Sequence, residues 1–289
     1  MTGPVEIPTP DGLRLGGTLF RPQSPGAHAV SIHAATGVRQ EYYGKFAAFL
    51  AARGFTVLTF DYRGIGRSRP RTPDGARPAS LRGYAASMRD WASVDAPAAL
   101  DYLERAAPGA RLIVLGHSFG GQAAGLLPRP ERLAAALLVG SQSGYWRNWP
   151  PFGRSWMWLV THLVLPIGPR LLGYFPSSRL GFGEDLPAGV AIEWARWCRH
   201  PQYLVGALGA HQAYARFSAP LRAYAISDDR FAPPHAVKAM LTLYPAAQKE
   251  LRQVAPREVG AQSIGHFGFF RERFRDTLWR EAAEWLAQR

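Results

Sequence analysis

A serine at position 118 stands where an apolar run meets a glycine-rich segment. Residues 112–115 are apolar, and residues 116–120 read Gly-His-Ser-Phe-Gly, with a glycine two positions from Ser118 on each side. Where a strand turns sharply into a helix, the turn residue is lifted above the sheet, and flanking glycines avoid Cβ clashes. Residues 122–127 are compatible with that helix. The pattern predicts a nucleophile at Ser118, against the alternative of a glycine-rich turn with a solvated serine.

A serine hydroxyl is a weak nucleophile unless a base takes its proton, and a third group has to orient that base. When the serine follows a strand in this way, the acid and then the histidine come later in the chain. Only His235 and His266 lie beyond the acid candidates. His266 stands in the glycine-flanked segment 264–268, whereas His235 starts a predicted helix. We therefore predict His266 as the base and His235 as a surface residue.

Two adjacent aspartates compete for the role of the acid. Asp228 and Asp229 follow a predicted strand, and a proline at 233 turns the chain away. Both carboxylates cannot orient one imidazole, so the other would cap a helix or hold a loop. The spacing to the proline favours Asp229, and Asp228 stays the alternative. Alternatively, both aspartates only cap the following helix. This is disfavoured because Ser118 precedes them and His266 follows them in the sequence, in the order that a triad requires.

Acyl transfer also needs backbone N–H donors for the oxyanion that develops in the transition state. One donor is expected from Phe119, which starts the helix after the serine, where the helix dipole also favours negative charge. The second is expected from the loop after His33. We choose the amide of Ala35 there, with Thr36 as the next candidate.

Short apolar strands alternate with helix-length segments along most of the chain. This alternation is typical of an α/β fold with a mostly parallel sheet covered by helices on both faces. Predicted strands cover residues 13–20, 29–33, 55–60, 112–115, 133–139, 221–226 and 251–254. Predicted helices cover residues 42–53, 85–106, 235–243 and 270–286.

The alternation breaks between residues 144 and 216, where six of the nine tryptophans fall. We interpret 144–216 as a helical cap inserted into one core domain, residues 1–143 and 217–289, before the strand that carries the acid. An aromatic insertion above a nucleophile can exclude water and line a pocket. Alternatively, the tryptophans only hold the cap together, or residues 156–165 lie in a membrane interface, which we rank lower. The residues expected to line the pocket are Thr36, His117, Trp146, Trp149, Trp194 and Phe267.

The net charge of +13 comes from arginine, because only three of the 34 basic residues are lysine. The arginines are scattered, with the densest cluster at residues 63–82, and no nucleic-acid-binding motif accompanies them. The N-terminus lacks the features of a secretory signal, and no apolar run is long enough for a membrane span. We therefore expect a cytoplasmic protein without nucleic-acid partners or stable membrane insertion. The oligomeric state stays open, with a homodimer as one option.

Together these segments resemble serine hydrolases of the α/β-hydrolase superfamily. The resemblance rests on the loop at His33, residues 61–68 (DYRGIGRS), the segment 116–120 and the loops of Asp229 and His266. It is similar to the serine-aminopeptidase-like and monoacylglycerol-lipase-like branch, and within it to a bacterial group of predicted hydrolases. The resemblance implies a Ser118, Asp229 and His266 triad, no cofactor and no metal.

One departure concerns the loop after the third strand. Relatives usually have His-Gly there, whereas this chain has His33-Ala34, and alanine disfavours the positive φ that glycine permits. This departure affects the position expected for the second oxyanion donor more than it affects the triad. We expect an esterase or lipase-like enzyme acting on a small apolar or aromatic acyl ester. The alternatives are a serine peptidase, a thioesterase, and a non-catalytic protein that binds a hydrophobic small molecule.

Overall fold

The computed structural model describes residues 1–24, 26–72, 75 and 79–289, so Arg77 of the basic cluster lies outside the described residues. Its centre is an eight-stranded sheet in the order β1-β2-β4-β3-β5-β6-β9-β10. The strands of this sheet are β1 Thr2–Pro8, β2 Arg14–Phe20, β3 His28–His33, β4 Thr56–Phe60, β5 Arg111–His117, β6 Leu133–Val139, β9 Leu221–Ile226 and β10 Lys249–Val254; β7 Tyr174–Phe175 and β8 Leu186–Pro187 form a separate pair. From β4 to β10 all neighbours are parallel, while β2 is antiparallel to both β1 and β4.

The mostly parallel sheet predicted from the sequence is confirmed. All seven predicted strands are present, and β6 and β9 have the predicted bounds. β1 was not predicted; it is an edge strand whose residues alternate in burial and include Pro4 and Pro8. Proline is tolerated at a sheet edge because its missing N–H faces away from the neighbouring strand.

Helices flank the sheet and connect its parallel strands. They are α1 Gly44–Ala51, α2 Met88–Asp90, α3 Ala96–Ala106, α4 Phe119–Gln122, α5 Pro151–Leu159, α6 Leu165–Leu172, α7 Ala188–Arg199, α8 Tyr203–Leu208, α9 His211–Arg216, α10 Pro234–Leu241, α11 Gly265–Gly268 and α12 Arg280–Ala287. A π-helical turn, Trp91–Asp95, joins α2 to α3, and another, Arg275–Trp279, precedes α12. The predicted helix 85–106 therefore starts at Met88, where Ser87 forms a capping box with Asp90.

Between β6 and β9 the chain forms α5 to α9 and the small antiparallel hairpin of β7 and β8. The π-helical turn Val160–Val164 joins α5 and α6, so residues 151–172 are continuously helical. Cys198 is buried in α7, and burial raises the pKa of its thiol. In the part of the chain that the structure describes, no helix is both long and apolar enough to cross a bilayer.

Candidate active site

Ser118 occupies a sharp turn between β5 and α4. Its backbone has φ 51° and ψ −116°, a conformation that costs energy for a residue with a side chain. The turn needs glycine, because a Cβ on Gly116 would lie 2.3 Å from Cα of Gly121. A Cβ on Gly120 would lie 2.1 Å from the carbonyl oxygen of His33, at the end of β3. The sequence therefore holds Ser118 at the carboxyl ends of the central strands.

His266 and Asp229 lie in contact. Nδ1 of His266 is 2.7 Å from Oδ2 of Asp229, and both side chains are nearly inaccessible to solvent. Asp229 follows β9, and its other oxygen accepts the N–H groups of Phe231 and Ala232, each at 2.8 Å. These bonds fix the carboxylate, so it can hold the imidazole with Nε2 unprotonated and available as a base.

Asp228, the alternative acid, has a different task. Its two carboxylate oxygens accept the backbone N–H groups of Ile264 at 2.9 Å and Gly265 at 3.0 Å. It therefore fixes the loop immediately before His266 and does not contact the imidazole. Of the two adjacent aspartates, one holds the ring of His266 and the other holds its backbone.

Ser118 is placed near His266 and Asp229 because the preceding residue, His117, contacts His266. The imidazole rings of His117 and His266 have centroids 4.9 Å apart. Among the described residues, neither Oγ of Ser118 nor Nε2 of His266 has a hydrogen-bond partner. The N–H of Phe119 is the first of α4, where no intrahelical acceptor exists. The hydroxyl, the free ring nitrogen and a free backbone donor therefore occupy the same end of the sheet.

The loop after β3 is tied to His117. The N–H of Ala35 donates to the hydroxyl of Tyr43 over 2.9 Å, and this hydroxyl lies 2.8 Å from Nδ1 of His117. Nε2 of His117 donates to the carbonyl oxygen of His266 over 3.0 Å, which leaves Nδ1 to accept from Tyr43. Burial lowers the pKa of His117 well below 6.5, consistent with a neutral ring. The Ala35 amide expected to face the oxyanion thus has a partner in the core.

Comparison with known proteins identifies the family. The family model described as "Alpha/beta hydrolase family" matches residues 29–277. The chain belongs to the alpha/beta hydrolase family. Among curated proteins, no sequence matches this alpha/beta hydrolase.

Solved structures share its fold at low sequence identity. A monoacylglycerol lipase from Paleococcus ferrophilus is 19% identical, with a TM-score of 0.61 over 95% of this chain and 98% of that one. An esterase from Pyrococcus furiosus is 15% identical, with a TM-score of 0.59 over 100% and 91% of the two chains. A thermophilic esterase from Thermogutta terrifontis, bound to malate, is 17% identical, with a TM-score of 0.60 over 99% and 98%. At these identities the likeness concerns the fold, and it confirms the predicted α/β-hydrolase fold.

The residues predicted to line a pocket fall into separate places in this alpha/beta hydrolase. Phe267 packs its ring 5.0 Å from that of His266, and Trp149 donates through Nε1 to the carbonyl oxygen of Arg230, beside Asp229. Thr36 is partly exposed in the loop after β3. Of the other three, His117 is fully buried, Trp146 packs on His162, and Trp194 is partly buried against the hydrophobic core.

Two further phenylalanines, not predicted from the sequence, lie at the site. Phe231 lies 5.5 Å from the ring of His266 and 5.7 Å from that of Phe182 in the cap, measured between ring centroids. Both side chains are about half exposed, each at 46%. Phe231 could have been found from its position two residues after Asp229, whereas no sequence signal connects Phe182 to the site. With Phe267, they give one side of the site an aromatic wall.

The cap is anchored to the core beside this site through Glu184. Its carboxylate accepts the N–H of Gly66 at 2.6 Å and lies 3.7 Å from Nε of Arg39. Its own N–H donates to the carbonyl oxygen of Gly37 over 2.8 Å, in the loop after β3. Within the described ranges, no group of three His, Cys, Asp or Glu side chains is arranged to hold a metal ion.

Proposed function

We propose that this alpha/beta hydrolase is a serine hydrolase that cleaves carboxylic esters through an acyl-enzyme. The contact of Asp229 with Nδ1 of His266, next to a serine in a strained turn, carries the proposal. His266 takes the proton of Ser118 through Nε2, Oγ attacks the carbonyl carbon, and the proton then passes to the leaving alcohol. Water, deprotonated by His266, attacks the acyl carbon; the bond to Oγ then breaks, His266 returns the proton to Oγ, and the acid leaves.

The tetrahedral intermediates need two N–H donors, and we assign one to Phe119. The sequence favoured Ala35 as the second, but its N–H is bonded to Tyr43. Thr36, the other candidate, has an N–H without a partner among the described residues. We therefore assign the second donor to Thr36.

An apolar group of the substrate fits the aromatic wall of Phe182, Phe231 and Phe267. Peptidase action on a free amino terminus would require an unpaired carboxylate near the site. The three acidic residues of the cap are all engaged inside the protein: Glu184 by Gly66, Asp185 by Ser178 and Glu193 by Arg89. These pairings support an ester substrate over an amino-terminal peptide.

Labelling with a fluorophosphonate probe tests the proposal, because the probe reacts with activated serines. Folded wild-type protein should be labelled, and Ser118→Ala should not. Absence of labelling in the folded wild type would overturn the proposal of a serine hydrolase and favour a non-catalytic binding protein.

His266→Ala should abolish turnover of p-nitrophenyl esters, whereas His235→Ala should not. A series of aryl esters of increasing acyl length then measures the depth of the site, and we expect short to medium chains to be preferred.

A further inference from the structure

The continuous helix of residues 151–172 carries an exposed apolar face. Six large apolar side chains follow one another at spacings of three or four residues, and each is exposed. We call them the apolar stripe: Phe152, Trp156, Leu159, Leu163, Ile167 and Leu171. Phe152 is 97% exposed and Leu171 is 76% exposed, so the ends of the stripe are largely free of packing contacts.

The stripe keeps to one side of the helix because of the π-helical turn at its centre. On a regular helix of 3.6 residues per turn, a step of four residues drifts by about 40°. The wider turn Val160–Val164 absorbs one extra residue and brings Ile167 and Leu171 back into line with Phe152. A soluble monomer rarely presents a continuous apolar row of this length without a partner.

The surroundings of the stripe are positively charged. No aspartate or glutamate occurs between Glu131 and Glu184. The exposed arginines of this interval that belong to the cap are Arg147, Arg154, Arg170 and Arg179. None of the four pairs with a carboxylate among the described residues. Exposed Arg82 adds a fifth charge, because its side chain lies against Gly173 at the end of α6.

We propose that the apolar stripe docks the cap on an anionic lipid surface. An interfacial helix buries an apolar face among the acyl chains and places its cationic residues among the headgroups. Exposed Trp156 suits this depth, because an indole ring favours the boundary between lipid and water. A symmetric dimer through the same face would bring two sets of unpaired arginines together, which makes a second copy the poorer occupant.

From the sequence, a membrane interface at residues 156–165 was disfavoured because the segment is short and lacks basic residues along a polar face. The cations come instead from outside the segment 156–165, at both ends of the helix and from the following loop. The association proposed is peripheral and reversible, since it involves one helix face and is sensitive to salt.

Sedimentation with vesicles tests the docking. Wild-type protein should bind phosphatidylcholine vesicles that contain phosphatidylglycerol, bind pure phosphatidylcholine at least about tenfold more weakly, and be released by salt. Phe152→Ser and Leu171→Ser should each weaken binding about tenfold, whereas Leu13→Ser, an exposed leucine in the core domain, should not. Ser118→Ala should bind like the wild type, which separates docking from hydrolysis.

Charge variants and the oligomeric state complete the test. Replacing Arg154, Arg170 and Arg179 together by Gln should weaken binding about a hundredfold. As a control, replacing the exposed residues Arg105, Arg111 and Arg257 together by Gln should weaken vesicle binding much less. Equal binding to both kinds of vesicle, or no binding, would overturn the proposal. So would a wild-type dimer that Leu171→Ser converts to a monomer while vesicle binding is absent.

Discussion

The ring of His117 donates through Nε2 to the carbonyl oxygen of His266 over 3.0 Å. The residue before Ser118, the proposed nucleophile, therefore holds the backbone of the histidine proposed as its base. Through Nδ1 the same ring accepts from Tyr43, whose hydroxyl receives the N–H of Ala35. Three segments that are distant in sequence are thus fixed to one another by a single buried imidazole.

Replacing Tyr43 by phenylalanine removes the hydroxyl that links the N–H of Ala35 to the ring of His117. Tyr43→Phe leaves the N–H of Ala35 and Nδ1 of His117 buried without partners, and each such group costs about 1 to 3 kcal/mol. We expect the free energy of unfolding in urea to fall by about 2 to 4 kcal/mol, and kcat on p-nitrophenyl acetate to fall. Tyr102→Phe is the control, because within the described residues the hydroxyl of Tyr102 makes no hydrogen bond. Equal stability of the two variants would contradict the role given to Tyr43.

Asp229 contacts the ring of His266 and Asp228 holds its backbone, so the same substitution should have different effects at the two positions. Asp229→Asn keeps the size of the side chain but lets the amide bond the wrong tautomer of His266. The kcat should fall on the order of a thousand- to ten-thousandfold, with little change in KM.

Asp228→Asn should instead weaken the loop of His266, because Ile264 and Gly265 donate to different oxygens of Asp228 and the amide replaces one of these acceptors by an NH2 group. We expect a loss of about 1 to 3 kcal/mol in the free energy of unfolding and a decrease in kcat of less than about tenfold. If the two substitutions exchanged their effects on kcat, Asp228 would be the acid.

The sequence was sufficient to predict the core of the fold because its patterns are local. The apolar runs of β6 and β9 and the glycines around Ser118 each encode a structure within a few residues. The boundaries of helices were less accurate, as in 85–106, because a capping box at Ser87 decides where the helix begins.

Features that depend on long-range contacts could not be predicted in this way. The partner of the Ala35 amide is the hydroxyl of Tyr43, eight residues away, on a 3-10 turn that overlaps the predicted helix 42–53. The aromatic neighbour of Phe231 is Phe182, which reaches the site only because the cap folds back onto the core. The apolar stripe could not be predicted either, because tertiary packing decides which face of the helix stays exposed.

Removing the carboxylate of Glu184 should loosen the cap from the core. In Glu184→Ala the N–H of Gly66 loses its acceptor, so its hydrogen exchange should become at least about tenfold faster. Asp185→Ala is the matched control, because Asp185 bonds only to Ser178 within the cap. Exchange of the Gly66 amide measured by NMR should respond to the first variant alone. An unchanged rate in Glu184→Ala would show that the cap is anchored elsewhere.

Asp61 is buried at the end of β4 and holds two loops. Its carboxylate accepts the N–H groups of Gln40 at 2.8 Å and Arg67 at 2.9 Å. Gly66 has to be glycine, because a Cβ there would lie 2.5 Å from the carboxylate. Burial raises the pKa of Asp61 from its ordinary value of 3.8 to about 6, despite these donors.

The raised pKa of Asp61 predicts a particular dependence of stability on pH. Between about pH 4 and pH 6 the folded chain holds a proton on Asp61 that the unfolded chain releases. The free energy of unfolding contributed by this group therefore falls as the pH rises, by on the order of 2 to 3 kcal/mol. Urea denaturation of wild type and Asp61→Asn at several pH values measures this as a difference between two slopes. Thr59→Val, which removes the hydroxyl bonded to Gln40 in the same network, should lower stability but keep the wild-type slope. If Asp61→Asn kept that slope as well, the proton would belong to another group.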